Sequence, residues 1–176
     1  FLEFQGQGGN LMADLVKPIA PSSFYLELAG VCEGESSVFK SVNIPDYSPK
    51  VQGGQQAIGT TKGGKTLWQV NSAGFEGLFS FDCICIASGD GDSTSKKLYE
   101  WFANCLPASN GGKSSWGKNK KEGSITAYDT DGNEIAKWQF VEAWPSKYKC
   151  ADLDVSADAY IEETYTITCE KFNRTM

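Results

Sequence analysis

A chain of 176 residues with 40% hydrophobic content suits one domain, large enough to hold a core without a covalent staple. Its net charge of −6 argues against sequence-independent binding to nucleic-acid phosphates, although a polyanion repelled in this way can still pass without sticking. Histidine is absent, which removes the commonest general base, the Ser-His and Cys-His nucleophile pairs and the usual zinc ligand; no apolar run reaches the roughly 20 residues of a membrane-spanning helix.

Residues 1–22 are expected to form a flexible leader ahead of a single domain over 23–176. The leader lacks the apolar stretch of a secretory signal, and Met12 opens a second plausible start, so residues 1–11 need not be native. Phe24–Val31 and Ser37–Asn43 read as two strands, with Gly34 in a link that suits a hairpin turn. Ile44–Gly74 holds two prolines and six glycines and reads as a long irregular loop, a feature that usually serves a partner. Within it, Gly59-Thr-Thr-Lys-Gly-Gly-Lys65-Thr66 fits the phosphate-binding pattern G-x-x-x-x-G-K-[ST]. That pattern requires a buried strand before it and a helix after it. The flanks VQGGQQAI and LWQVNSAG supply neither, so a basic-tipped loop is the better reading and nucleotide binding the weaker one.

Leu78–Ala87 is the most apolar strand and is expected to be covered on both faces, with Asp82 as its exception. Asp92 or Ser93 then caps a helix reaching about Leu106. Leu98, Trp101, Phe102, Cys105 and Leu106 form its apolar stripe, and Pro107 stops it. Ser109–Glu122 is a Gly-, Ser- and Lys-rich loop with a basic cluster of Lys113, Lys118, Lys120 and Lys121. Ser124–Asp129 and Glu134–Ala143 form a hairpin around Asp131-Gly132, with Ala136, Trp138 and Phe140 facing the core. Ala143-Trp144-Pro145 is expected to end that strand as a corner. In the last strand Ile161, Tyr165, Ile167 and Cys169, with Glu163 among them, face one side. Glu162, Thr164, Thr166, Thr168 and Glu170 face the other. The six cysteines contain no CxxC pair and read as small buried hydrophobes, with an oxidised framework as the second reading. No catalytic, cofactor-binding or metal-ligating set is expected.

The order strand, Ala143-Trp144-Pro145, Lys147-Tyr148, the linker with Asp152, Leu153, Asp154 and Ala157, then Glu162-Glu163-Thr164-Tyr165, preceded by Trp138 and Phe140, resembles the inner tail-tube proteins of contractile phage tails and related contractile injection systems. The resemblance is strongest over Ser124–Phe172 and looser over Phe24–Leu106. It implies a mostly β fold, an antiparallel β-sandwich or half-barrel with one flanking α-helix, completing a large β-barrel when hexameric rings assemble and stack. Implied partners are further copies of the chain, a sheath protein, baseplate and terminator proteins, and cargo protein or DNA in the lumen, in a particle assembled in the bacterial cytoplasm. On this reading Glu162, Thr164, Thr166 and Thr168 line the lumen as part of a polar, acidic wall. Tyr47, Lys50, Gln55, Lys62, Lys65 and Trp68 belong to a loop reaching the next ring. Lys113, Lys118, Lys120 and Lys121 meet the sheath or a neighbour. A monomeric carbohydrate-binding sandwich is the alternative from a different class, suggested by the five Trp and seven Tyr.

Overall fold

The structure is a computed structural model and describes residues 23–34, 37–46, 49–53, 57–75, 79–156 and 158–176; the expected leader lies outside them. Among the described residues the longest strand is β9, Glu134–Cys150. The first half of β9 pairs antiparallel with β8 (Lys121–Tyr128) on one edge and with β11 (Lys171–Arg174) on the other. The second half pairs with β10 (Glu162–Cys169), which lies beside β7 (Phe79–Ile86). With β1 (Phe24–Leu28) outside β8 and β2 (Ser41–Val42) outside β7, the path is β1-β8-β9-β10-β7-β2. The Asp131-Gly132 turn forms as expected, with Gly132 at φ 83° and Asp129 N–H donating to the Asn133 carbonyl at 3.0 Å.

Four expectations change. β9 does not stop at Pro145 but runs through it to Cys150. Proline lacks the N–H that a ladder needs, and it is tolerated at bulges. Here the β9–β10 register slips between Thr166 and Ile167, so Pro145 sits at the interruption and is buried opposite Ile167. The bend comes three residues earlier, at Glu142, with φ 55°. Second, β1 and β2 are not a hairpin: one pairs β8 and the other pairs β7, at opposite ends of the sheet. Short alternating segments specify a buried face but not a partner. The chain instead turns tightly through a Leu28–Cys32 bridge, and Tyr25 Oη donates to the Gly34 carbonyl at 2.9 Å.

Third, Ile44–Gly74 is not irregular. β3 (Pro49–Gly53) pairs with β6 (Val70–Phe75), and beyond them β4 (Gly59–Thr60) pairs with β5 (Thr66–Leu67), making one extended hairpin. Backbone pairing needs only N–H and C=O groups, so a Gly- and Gln-rich segment can form it. Fourth, β7 is covered on one face only: Phe81, Cys83 and Cys85 are buried while Asp82 and Ile84 are half-exposed.

The sheet curls so that its two halves share a core. Phe81 of β7 lies 5.1 Å from Phe140 of β9, and Phe140 stacks on Phe172 of β11 at 6.3 Å between ring centroids. Helix α1, Thr94–Cys105, closes the open side with Leu98, Trp101 and Cys105 buried. Ser93 is its N-cap, accepting from the Lys96 amide, and Leu106 ends it just before Pro107. Gly123 on β8 is a close approach between strands: a Cβ there would meet the Glu27 carbonyl oxygen and the Phe140 ring.

Candidate functional site

Strand β10 carries two unlike faces, as its alternation predicts, except that Ile161, expected on the buried face, precedes the strand and is exposed. Glu163, Tyr165, Ile167 and Cys169 are buried; Glu162, Thr164, Thr166 and Thr168 are half-exposed. Register places Thr164 between Lys149 and Ile84, Thr166 between Lys147 and Asp82, and Thr168 between Trp144 and Ser80. Thr166 Oγ1 donates to Asp82 Oδ1 at 2.6 Å, Thr168 Oγ1 to Ser146 Oγ at 2.9 Å, and Ser146 Oγ to the Thr166 carbonyl at 3.1 Å. Lys40 pairs with Glu162 at one end. The face is therefore polar but mixed in charge rather than an acidic wall. A strand ending at Pro145 would not have brought Lys147 and Lys149 onto this face; the continuation of β9 does.

Behind this face lies a buried carboxylate. Glu163 accepts from Ser95 Oγ at 2.6 Å and Tyr148 Oη at 3.0 Å, with Tyr165 Oη at 3.4 Å and Cys85 Sγ at 4.0 Å. Its donors come from α1, β9, β10 and β7, so one side chain ties the helix to three strands. Burial, reinforced by the Glu163 charge, raises both tyrosine pKa values, which keeps the hydroxyls protonated as donors. Burial also pushes the Cys32 and Cys169 thiols up to about 11 and Cys85 to about 12. At neutral pH they stay protonated and act as apolar filling.

The extended hairpin stands clear of the core: every described residue from Lys50 to Ser72 is exposed, including Lys62, Lys65 and Trp68. Tyr47 and Gln55 lie outside the described residues. Val51, Ile58, Leu67 and Val70 add exposed apolar surface. The phosphate-loop pattern falls on the tip of this hairpin. Thr61 N–H donates to the Lys65 carbonyl at 2.9 Å and Gly64 N–H to the Thr61 carbonyl at 3.0 Å, with Gly63 and Gly64 at φ 106° and 80°. These amides close their own turn and β5 follows instead of a helix, so the nucleotide reading is withdrawn.

Of the basic cluster, Lys113 and Lys118 are exposed. Lys120 is held inside the chain by Glu170 at 2.5 Å and Glu142 at 3.2 Å, over the Trp116 ring at 4.9 Å. Hydrogen bonds to these two carboxylates raise its pKa. Lys121 lines a cleft beside α1 with Lys97, Glu100 and Asn104.

A further surface lies between β9 and β10. Leu153, Val155, Tyr160 and Ile161 are exposed around a depression of about 520 Å³ that Asp152, Asp154 and Glu162 also line, and Asp158 is exposed in the same loop. Ser156 donates to Asp154 Oδ1 from N–H at 2.9 Å and from Oγ at 2.7 Å, which shapes the turn. In the sequence this segment reads as a linker with Leu153 between Asp152 and Asp154, and aliphatic residues alternating with aspartates are the local signal for an exposed apolar surface.

A family model described as T4-like virus tail tube protein gp19 matches residues 24–173. No curated protein matches the sequence. Among solved structures, a chain of the PVC sheath-tube complex of an extracellular contractile injection system in its extended state superposes with a TM-score of 0.65 at 15% identity, covering 92% of this chain and 93% of that one. The anti-feeding prophage tube-terminating cap gives 0.67 at 15%, covering 96% and 99%. The sheath/tube terminator of the PVC system gives 0.64 at 14%, covering 92% and 99%. At these identities the superpositions show a shared fold.

Proposed function

This chain belongs to the T4-like virus tail tube protein gp19 family, and from that premise we propose that it is the repeating structural subunit of the hollow inner tube of a phage tail or contractile injection system. Residues 23–176 act as one tube domain, with 1–22 as a leader. Six copies close into a ring, their sheets joining into one barrel, and the rings stack into a conduit driven out when a surrounding sheath contracts. The observation that carries this reading is the curled sheet with one buried face and one continuous polar face on β10, backed by strands that leave edges to be paired. Further copies, a sheath protein, and baseplate and terminator proteins are its partners, in a particle assembled in the bacterial cytoplasm.

Glu162, Thr164, Thr166 and Thr168, joined by Lys147 and Lys149, line the lumen, where cargo protein or DNA slides over a hydrated wall of both charge signs. The hairpin with Lys50, Lys62, Lys65 and Trp68 reaches the next ring, with Tyr47 and Gln55 in the same segment. Lys113 and Lys118 face the sheath or a neighbouring subunit, and Lys120 and Lys121 support that surface from within. The second reading, a monomeric carbohydrate-binding module, has less to stand on, because Trp101 is buried and Trp138 and Trp144 pack against the core. Negative-stain electron microscopy beside size-exclusion chromatography tests the proposal. Rings or stacked tubes at micromolar concentration are expected, and a monomer at every concentration and salt would overturn it.

A further inference from the structure

Two exposed apolar surfaces lie at opposite ends of the same sheet and carry opposite charge. The hairpin leaves from the Phe79 end of β7. Its incoming chain runs beside β7, with Asn43 N–H donating to the Asp82 carbonyl at 3.1 Å, and β6 returns at Phe75 just before β7 begins. The 151–161 loop sits at the other end. Glu162 pairs with Ile86, Ala151 N–H donates to the Glu162 carbonyl at 2.8 Å, and Ala87 N–H donates to the Ile161 carbonyl at 2.9 Å. Eight residues of β7 separate the two, about 25 Å of extended chain. From Pro49 to Phe75 the sequence has Lys50, Lys62 and Lys65 and no acidic residue; from Ala151 to Ile161 it has Asp152, Asp154 and Asp158 and no basic one. The hairpin exposes Leu67, Trp68 and Val70, and the loop exposes Leu153, Val155 and Tyr160.

We infer that the loop is the receptor for the hairpin of a second copy of this chain. The cationic, Trp68-bearing hairpin of one subunit seats on the acidic, Val155-bearing depression of the subunit stacked next to it. A surface at one end that matches a different surface at the other makes a head-to-tail contact, which repeats without self-limit along an axis. The apolar side chains supply the affinity; the lysines and aspartates set the register and oppose head-to-head or tail-to-tail pairing through like-charge contact. This assignment rests on the tube-subunit reading and adds to it which surface receives the hairpin.

The test reverses charge on each side of the full chain. Lys62→Glu with Lys65→Glu, and separately Asp152→Lys with Asp158→Lys, are each expected to raise the concentration needed for stacking by about tenfold or more while single rings persist. All four substitutions together are expected to restore stacking. Asp154 is left in place because it shapes the turn. A second measurement does not depend on long tubes. Cys150 is the exposed native thiol beside the loop, so a Lys62→Cys variant under a mild oxidant is expected to give a ladder of covalent multimers beyond the dimer. Adding Cys150→Ser should abolish that ladder. Rings that stack at the wild-type concentration despite charge reversal, or trapping that stops at dimers, would overturn this inference and leave the tube reading standing. A wild-type protein giving no rings, together with a Lys62→Cys variant giving no ladder, would overturn both.

Discussion

At the scale of single residues, two side chains on β10 divide the work. Glu163 is a carboxylate buried where α1, β9 and β10 converge, and its oxygens are matched by hydroxyl donors. A Glu163→Gln change keeps the shape but turns an amide N–H₂ toward those donors, so we expect a loss of about 2–3 kcal/mol, read by urea unfolding. On the opposite face, Thr166 gives its hydroxyl to Asp82 at 2.6 Å. A Thr166→Leu change is expected to leave the fold intact, cost about 1 kcal/mol, and make the wall stickier toward cargo. Unchanged cargo loading and ejection by that variant would count against the lumen assignment. The alternation that separates these two residues was legible, because a period of two fixes the face of each side chain. That Glu163 would be matched by Ser95 and Tyr148, far away in sequence, was not, since no local pattern encodes long-range partners.

At the scale of elements, legibility followed the source of each element's stability. Helix α1 announced itself by its stripe, its Ser93 cap and Pro107, all local signals. The β8–β9 hairpin did so through Asp131-Gly132. Its Asp129 carboxylate accepts from the Asn133 side chain and from the Asn133 and Asp131 amides, which holds its pKa below the ordinary 3.8. A depressed folded-state pKa contributes stability above the ordinary value and loses it as pH falls through the folded one. An Asp129→Asn variant should therefore show a shallower acid limb in stability measured below about pH 4. Gly123, by contrast, gave no sign in sequence of sitting against the Glu27 carbonyl and the Phe140 ring. Gly123→Ala is expected to cost about 1–3 kcal/mol by overpacking, visible as a lowered Tm. The extended hairpin hid behind its glycines, and the continuation of β9 hid behind Pro145, because a bulge that accommodates proline is a property of the partner strand as much as of the proline.

At the scale of the whole molecule, charge separation along the sheet should make assembly sensitive to ionic strength. If opposite charges guide the ends together, salt screens that guidance within a Debye length of about 8 Å at 0.15 M. Association measured by light scattering is expected to slow several-fold between low and moderate salt, while the apolar contact preserves the tubes once formed. The length of β9 has a mechanical consequence as well. β9 is held by β8 and β11 in its first half and by β10 in its second. Inter-strand hydrogen bonds lie perpendicular to the strands. Force applied along β9 therefore loads those bonds together in shear rather than one at a time in peeling, and the covalent backbone carries it across both halves of the sheet. A load along that direction is shared by the whole paired length of β9, and Glu142, at φ 55°, is a break in its regular extended backbone.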